Sequence, residues 1–232
     1  MAKTRQEIRE KVQLELDLLS TSGSYVKGSG FITPAEINGH ISDSVKLAAS
    51  YIHNLYEDYY FTIGSISLVA GTSEYPLPAN MYVNKIRRLL YDNNSDKYKI
   101  NRLHNIDEIP YITSADYYRY RLVNNGLTEV VKLYPNAKAT EADVVQVYYY
   151  RRPKELALDA DVLDIPEEFD NVVVSDVKFR CLSKEPDNPS LQIVKTMRDE
   201  QIGQMLATLG KRVPDDTTDI RPDMSFYDES IA

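Results

Sequence analysis

Three histidines, His40, His53 and His104, and one cysteine, Cys181, are the side chains of this 232-residue sequence with the chemistry to ligate a transition metal or to serve a nucleophilic mechanism. A helical zinc site announces itself by ligands three or four residues apart. None of the histidines has a second histidine or a cysteine at that spacing, and Cys181 is distant from all of them. A triad also needs a nucleophile on a strand-turn motif, and the chain has none. The expectation is therefore no catalytic residue, no metal site and no cofactor, with His40 and His53 as ordinary helical surface residues. Gly28-Ser29-Gly30 runs into Phe31 without the lysine of a phosphate-binding loop, so it reads as a flexible loop.

Asp159, Asp161 and Asp164 form a D-x-D-x-x-D run with the oxygen chemistry for a divalent cation. A calcium loop adds a turn glycine and a closing glutamate, which are missing here, so turn and helix-entrance duties are expected instead. Tyr148-Tyr149-Tyr150-Arg151-Arg152 and Tyr117-Tyr118-Arg119-Tyr120-Arg121 interleave rings with cations, the pattern that stacks bases and meets phosphates in single-strand binders. On a strand, alternation sends half of each run into the core, and the remaining Tyr and Arg can stack on each other.

Composition narrows the setting for these groups. Acidic residues outnumber basic ones 35 to 27, for a formal charge of -8, which opposes tight wrapping of a phosphate backbone. Eighteen Tyr against five Phe and no Trp favour rings that bridge a core and a wet surface, as at protein interfaces and in sheets. A lone cysteine forms no internal disulfide and suits a reducing compartment. The first ten residues lack the layout of a secretory signal, and no apolar run approaches the ~20 residues that a bilayer requires. A soluble protein of the cytosol in which it is made, without membrane contact, is expected.

The elements that must position these residues are legible in the pattern. Ile8, Val12, Leu16 and Leu19 recur at helical spacing behind a capping Thr4, which predicts a helix over 4–20. Thr33-Pro34-Ala35-Glu36 is an N-cap, a first-turn proline and a capping-box glutamate, and a stripe of Ile37, Ile41, Val45, Ala48, Ile52 and Leu55 follows. From Tyr59 the period falls to two, with strands expected at 61–68, 75–77, 82–91, 98–103, 117–123, 129–134 and 144–151. Asn124-Asn125-Gly126 reads as a tight hairpin, and 105–111 as a helical turn. Helical period returns at Pro166-Glu167-Glu168-Phe169, with Phe169, Val173, Val177 and Leu182 on its face. A last helix is expected behind Asn188, with Leu191, Val194, Met197, Ile202, Met205 and Leu209 inward and Gly210 as C-cap.

The expected fold class is α+β: N- and C-terminal helix pairs form a small bundle, with a β-sandwich or barrel-like insertion and an extended C-terminal arm. The expected domains are 1–58 (N-terminal helices), 59–158 (inserted β domain), 159–211 (C-terminal helices) and 212–232 (acidic arm). Residues 213–232 hold six acids against one base, Arg221, and include Pro214 and Pro222, so they are not expected to fold alone. Met224, Phe226, Tyr227 and Ile231 are spaced apolar anchors in that arm, suited to a partner's pockets.

The succession Phe61-Thr-Ile-Gly64, Tyr75-Pro-Leu-Pro78-Ala-Asn-Met81, Tyr148-Tyr-Tyr-Arg-Arg-Pro153 and Asp161-Val-Leu-Asp-Ile-Pro-Glu-Glu-Phe169 resembles the head-to-tail adaptor proteins of tailed bacteriophages over roughly residues 1–210. The resemblance implies a non-enzymatic virion protein of the neck, met in the host cytoplasm during assembly. It implies a ring on the dodecameric portal, formed by subunits that can be monomers alone. That ring extends the DNA channel, lets double-stranded DNA pass without sequence-specific binding, and offers a platform to the tail or nozzle protein. The arm residues Met224, Phe226, Tyr227 and Ile231 would then meet the portal, and an acidic channel face is expected because bound phosphates slow passage. Two other readings are another tail, nozzle or completion subunit, and a tyrosine-rich carbohydrate-binding β module with several Tyr on one exposed concave face.

Overall fold

Thr4 and Thr33 open two helices by the same local chemistry. Each threonine hydroxyl accepts the N–H of the glutamate three residues on, Glu7 or Glu36. The glutamate carboxylate accepts the threonine N–H in return, at 2.7 Å for Thr4 and 2.8 Å for Thr33. In this computed structural model, which describes residues 3–16, 32–93, 97–112, 117–124, 129–136, 143–185 and 187–211, helix α1 is Arg5–Glu15 and helix α2 is Pro34–Leu55. The first helix is shorter than 4–20, ending on a Leu16 cap, and Leu19 lies outside the described residues. In α2 the expected stripe is buried from Ile37 to Ile52, while Leu55 is exposed. No helix is long and apolar enough to cross a membrane, among the described residues.

The chain divides into two compact units, Met1–Tyr56 with Pro166–Ala232, and Glu57–Ile165. In the first, a 3-10 turn at Glu167–Phe169 leads into α3, Asp170–Leu182, and α4 is Ser190–Gly210. Helix α3 touches α1, α2 and α4, and every residue from Val172 to Val177 is buried. A helix enclosed on all sides is a central helix, not one half of an amphipathic pair. Pro189 stands at the N-cap of α4, not the expected Asn188, whose side chain accepts the Ser190 N–H at 2.9 Å from one position earlier. Gly210 does not end α4 as a cap: it is helical, and right-handed Lys211 takes that position. Of the α4 residues expected inward, Val194, Met205 and Leu209 are buried, Leu191 and Ile202 are half-buried, and Met197 is exposed.

The second unit is one seven-stranded sheet. Its strands are β1 (Phe61–Ser67), β2 (Glu74–Pro76), β3 (Met81–Asp92), β4 (Lys97–Arg102), β5 (Arg119–Asn124), β6 (Glu129–Tyr134) and β7 (Val144–Arg151). They lie in the order β1-β7-β3-β4-β5-β6-β2. Neighbours are antiparallel except β4 and β5, which run parallel through Asn101↔Arg119 and Arg102↔Tyr120. The β5–β6 register closes at Asn124↔Glu129, and the expected turn residues Asn125-Gly126 lie outside the described residues. One face carries the core, with Leu89, Ile100, Leu133, Val147 and Tyr149 among its buried side chains.

These observations correct the expected architecture. The chain is mixed α/β and dominated by a curled seven-stranded sheet, not a bundle of terminal helix pairs bearing a β-sandwich or barrel-like insertion. Strand alternation reports one buried face and is silent on what covers it, and a sheet that curls over its own core needs no second layer. The extended arm of that expectation lies outside the described residues.

Candidate interaction surface

The pairing of β3 with β7 is interrupted where Ile86 faces Tyr149 and Arg88 faces Tyr148, so two steps on β3 match one on β7. Arg87 is the extra residue of a β-bulge. Alternation is suspended there, and Arg87 and Arg88 are both exposed instead of pointing to opposite faces. The Arg87 guanidinium lies 5.3 Å from the centre of the Phe61 ring and holds Asp58 Oδ1 at 2.6 Å. The Arg88 guanidinium lies 4.1 Å over the Tyr148 ring and has no carboxylate partner among the described residues.

The rings beneath the two arginines support each other. Phe61 and Tyr148 stack with centroids 6.0 Å apart and planes at 30°. Ile63, opposite Tyr148 in the β1–β7 register, is 55% exposed. One row further along the sheet, Leu90 lies between Gln146 and an exposed Lys99. The next row is electrically closed, because Lys97 holds Asp92 at 2.9 Å. The result is an aromatic and aliphatic platform with two cations presented, Arg88 and Lys99. Each cation–π contact contributes about 0.5–1 kcal/mol at an exposed site and, more usefully, fixes the plane of the guanidinium. Such a surface suits a partner that brings carboxylates and an apolar side chain.

The residues expected from sequence are distributed differently. In the run Tyr148–Arg152, Tyr149 is in the core with its hydroxyl donating to Asn80 Oδ1 at 2.7 Å, and Tyr150 is buried. Arg151 is clamped to Asp164, and Arg152 Nε donates to the Met81 carbonyl at 3.0 Å. In the other run Tyr118 and Tyr120 are buried, and Arg119 pairs with Glu108 at 2.8 Å. The stacking expected of the leftover rings occurs, but Tyr148 takes an arginine from β3 rather than from its own run. Arg87 and Arg88 were not foreseen. Their signal is two adjacent cations in a strand that otherwise alternates, which is how a bulge reads in sequence.

Among the described residues, seven of the chain's eighteen tyrosines serve the core. Tyr60, Tyr75, Tyr91, Tyr118, Tyr120, Tyr149 and Tyr150 are buried, which removes them from the open ring platform that a carbohydrate module needs. Two of these hydroxyls find acceptors on acidic residues: Tyr91 donates to Asp143 Oδ2 at 2.9 Å and Tyr60 to the Asp164 carbonyl at 2.6 Å. Burial pushes the Tyr98 phenol up to about 12.

The acidic run does turn work. Asp161 Oδ2 accepts the N–H groups of Ala157 and Leu158 at 2.7 and 2.6 Å, and Asp164 accepts the Lys154 N–H at 2.8 Å. No group of three or more His, Cys, Asp or Glu residues is placed to hold a metal ion, among the described residues. The histidines of α2 are less superficial than expected: His53 is buried and His40 half-buried, its pKa lowered by burial. Cys181 is fully buried, and its thiol is pushed up to about 11 by burial. Met224, Phe226, Tyr227 and Ile231 lie outside the described residues.

Comparison with known proteins places the chain in context. It matches the family model described as SU10 adaptor protein over residues 3–222. No curated protein matches it. Among solved structures it is similar to a chain of "Neck of empty GTA particle computed with C6 symmetry", with 12% identity, 76% of each chain covered and a TM-score of 0.27. A likeness that weak carries no argument.

Proposed function

This chain belongs to the SU10 adaptor protein family and is a head-to-tail adaptor, a structural protein of the virion; on that premise we propose that it forms a ring beneath the portal and extends the DNA channel toward the tail. The single observation that carries this reading is the family match, which runs through nearly all of the chain, residues 3–222. The ring is dodecameric on the portal, and the subunit can be a monomer before it meets that template. Its work is mechanical and non-enzymatic, joining the portal on one side to a tail or nozzle protein on the other. It assembles in the host cytoplasm and ends in the neck of the virion.

Two physical arguments support the finer points. A channel that DNA must traverse should not hold phosphates, since each contact that releases counterions adds to the affinity. The excess of 35 acids over 27 bases is compatible with an acidic channel face and with passage free of sequence-specific contacts. Residues 213–232 combine acids with the spaced anchors Met224, Phe226, Tyr227 and Ile231, the composition of a segment that gains order by docking, here on the portal.

Electron microscopy of the chain mixed with its portal tests the reading: an added ring at the clip end is expected, and portal particles left bare would overturn it. Removing residues 213–232 should abolish docking while leaving the melting temperature nearly unchanged. Undiminished docking would reject the role of the arm alone.

A further inference from the structure

The platform of Arg88, Tyr148, Phe61, Ile63 and Lys99 is assembled by a bulge, presented on the exposed side of the sheet, and left with two cations, Arg88 and Lys99, that have no carboxylate partner among the described residues. We infer that it is the docking site for the acidic stretch 213–223 of a second copy of this chain, so that each subunit of the ring holds its neighbour by this strap. The inference rests on the ring reading above and adds to it a contact between subunits.

The chemistry of the two surfaces matches at several points. Residues 213–223 carry carboxylates at Asp215, Asp216, Asp219 and Asp223, with Ile220 among them. Arg88 and Lys99 sit on adjacent strands one row apart, about 8 Å between backbones by sheet geometry. That separation lies between the i,i+2 and i,i+3 spacings of an extended chain, about 7 and 10 Å. Ile220 supplies the apolar side chain that the exposed Ile63 and the edge of Phe61 lack. Pro214 and Pro222 favour the extended backbone such a strap requires, and a strap of residues 213–223 leaves Met224–Ile231 for the portal.

The other anionic candidate, DNA, fits this face less well. Arg87 is already neutralised by Asp58 and Lys97 by Asp92, which breaks the row of free cations that a phosphate backbone calls for. The exposed Ile63 and the stacked rings would remain unused by phosphates. A carboxylate-bearing peptide uses both parts of the surface.

The test is carried out on full-length chain assembled on its portal, with the photo-crosslinker benzoylphenylalanine replacing Ile63 and rings built from equal parts of unlabelled and nitrogen-15 chain. Cross-links to peptides within 213–223 that join heavy and light chains are expected. Arg88→Glu should lower their yield about tenfold, the equivalent of one lost charge contact, and Asp219→Lys in the same chain should restore it. Rings that form but cross-link to DNA, to the portal, within one chain, or not at all would overturn the strap and leave the adaptor reading standing. Failure of any ring to form on the portal would overturn both.

Discussion

The carboxylate of Asp176 on α3 accepts a hydrogen bond from Arg198 Nε on α4 at 2.7 Å. The same carboxylate takes Arg180 Nε at 2.7 Å and the Ser44 hydroxyl of α2 at 2.6 Å, so one buried acid joins three helices. The central position of α3 makes this possible, because only a helix enclosed by the others can present one side chain to two of them. Replacing Asp176 by Ala leaves two guanidinium groups and a hydroxyl without their acceptor. A fully buried pair loses about 3–5 kcal/mol when broken this way. The Arg198 and Arg180 side chains are 22% and 33% exposed and regain some hydration, which brings the expected loss to about 2–3 kcal/mol, read as a lower urea midpoint.

The same site sets a dependence on acid. Burial pushes the Asp176 carboxyl up, but the hydrogen bonds from Ser44 and Arg180 and the charges of Arg180 and Arg198 outweigh it and hold the group below its ordinary value of 3.8. A depressed folded-state pKa contributes stability that is complete above the unfolded value and disappears as pH falls through the folded one. The stability gap between the native chain and Asp176→Asn should therefore be constant at neutral pH and shrink between about pH 5 and pH 2. Denaturant titrations across that range measure it, and a gap that widens in acid would contradict the assignment.

Local chemistry was readable in the sequence, and long-range pairing was not. Thr33-Pro34-Ala35-Glu36 specifies a helix start within four residues, and that start is where α2 begins. Strands β6 and β7 match their expected limits because β-branched and aromatic alternation ends abruptly at turn residues. The partnership of β7 with both β1 and β3, and the parallel contact of β4 with β5, depend on residues far apart in the chain and leave no local period. Val172 and Val174 show the same limit in α3. A stripe of Phe169, Val173 and Val177 accounts for one face, and only the packing of three helices explains why their neighbours are buried too. At the candidate site the period of two separates core Tyr149 from Tyr148, but Tyr150, on the Tyr148 side, is buried as well, and the period cannot place Arg87 and Arg88, since a bulge is a break in it.

Two glycines should respond oppositely to alanine. A Cβ on Gly64 of β1 would lie 3.2 Å from Tyr149 Cε1 and 3.6 Å from Pro78 Cγ. The Tyr149 ring cannot easily yield, because its hydroxyl is held by Asn80 at 2.7 Å. Gly64→Ala is expected to cost about 1–2 kcal/mol by overpacking. Gly39 lies within α2 with nothing within 4 Å of its virtual Cβ. Gly39→Ala should gain about 0.5–1 kcal/mol from the lower entropy of the unfolded chain. Thermal melts of the two variants should move in opposite directions.

Cys181 offers a probe of the helical unit. It is fully buried on α3, and with its pKa pushed up to about 11 it holds little thiolate at neutral pH. A thiol reagent such as dithionitrobenzoate should leave the native chain unlabelled and react as denaturant opens the helices. Labelling in native buffer as fast as in urea would show that α3 is not enclosed.

Arg151 and Asp164 should behave as a coupled pair. Arg151 makes two hydrogen bonds to the Asp164 carboxylate, one of them at 3.0 Å, and lies 5.2 Å from the Tyr60 ring, whose hydroxyl donates to the Asp164 carbonyl. The carboxylate also accepts the Lys154 N–H at 2.8 Å. Asp164→Ala therefore removes the acceptor of both the guanidinium and a backbone donor, whereas Arg151→Ala removes the guanidinium alone. The side chains are 28% and 15% exposed, so solvent compensates part of each loss, and about 2 kcal/mol for Asp164→Ala and about 1 kcal/mol for Arg151→Ala are expected. The double variant should cost about 1 kcal/mol less than the sum of the two, because the second truncation no longer strands a partner. A double-mutant cycle in urea measures that difference, and strict additivity would mean that the clamp contributes nothing to the stability of the sheet.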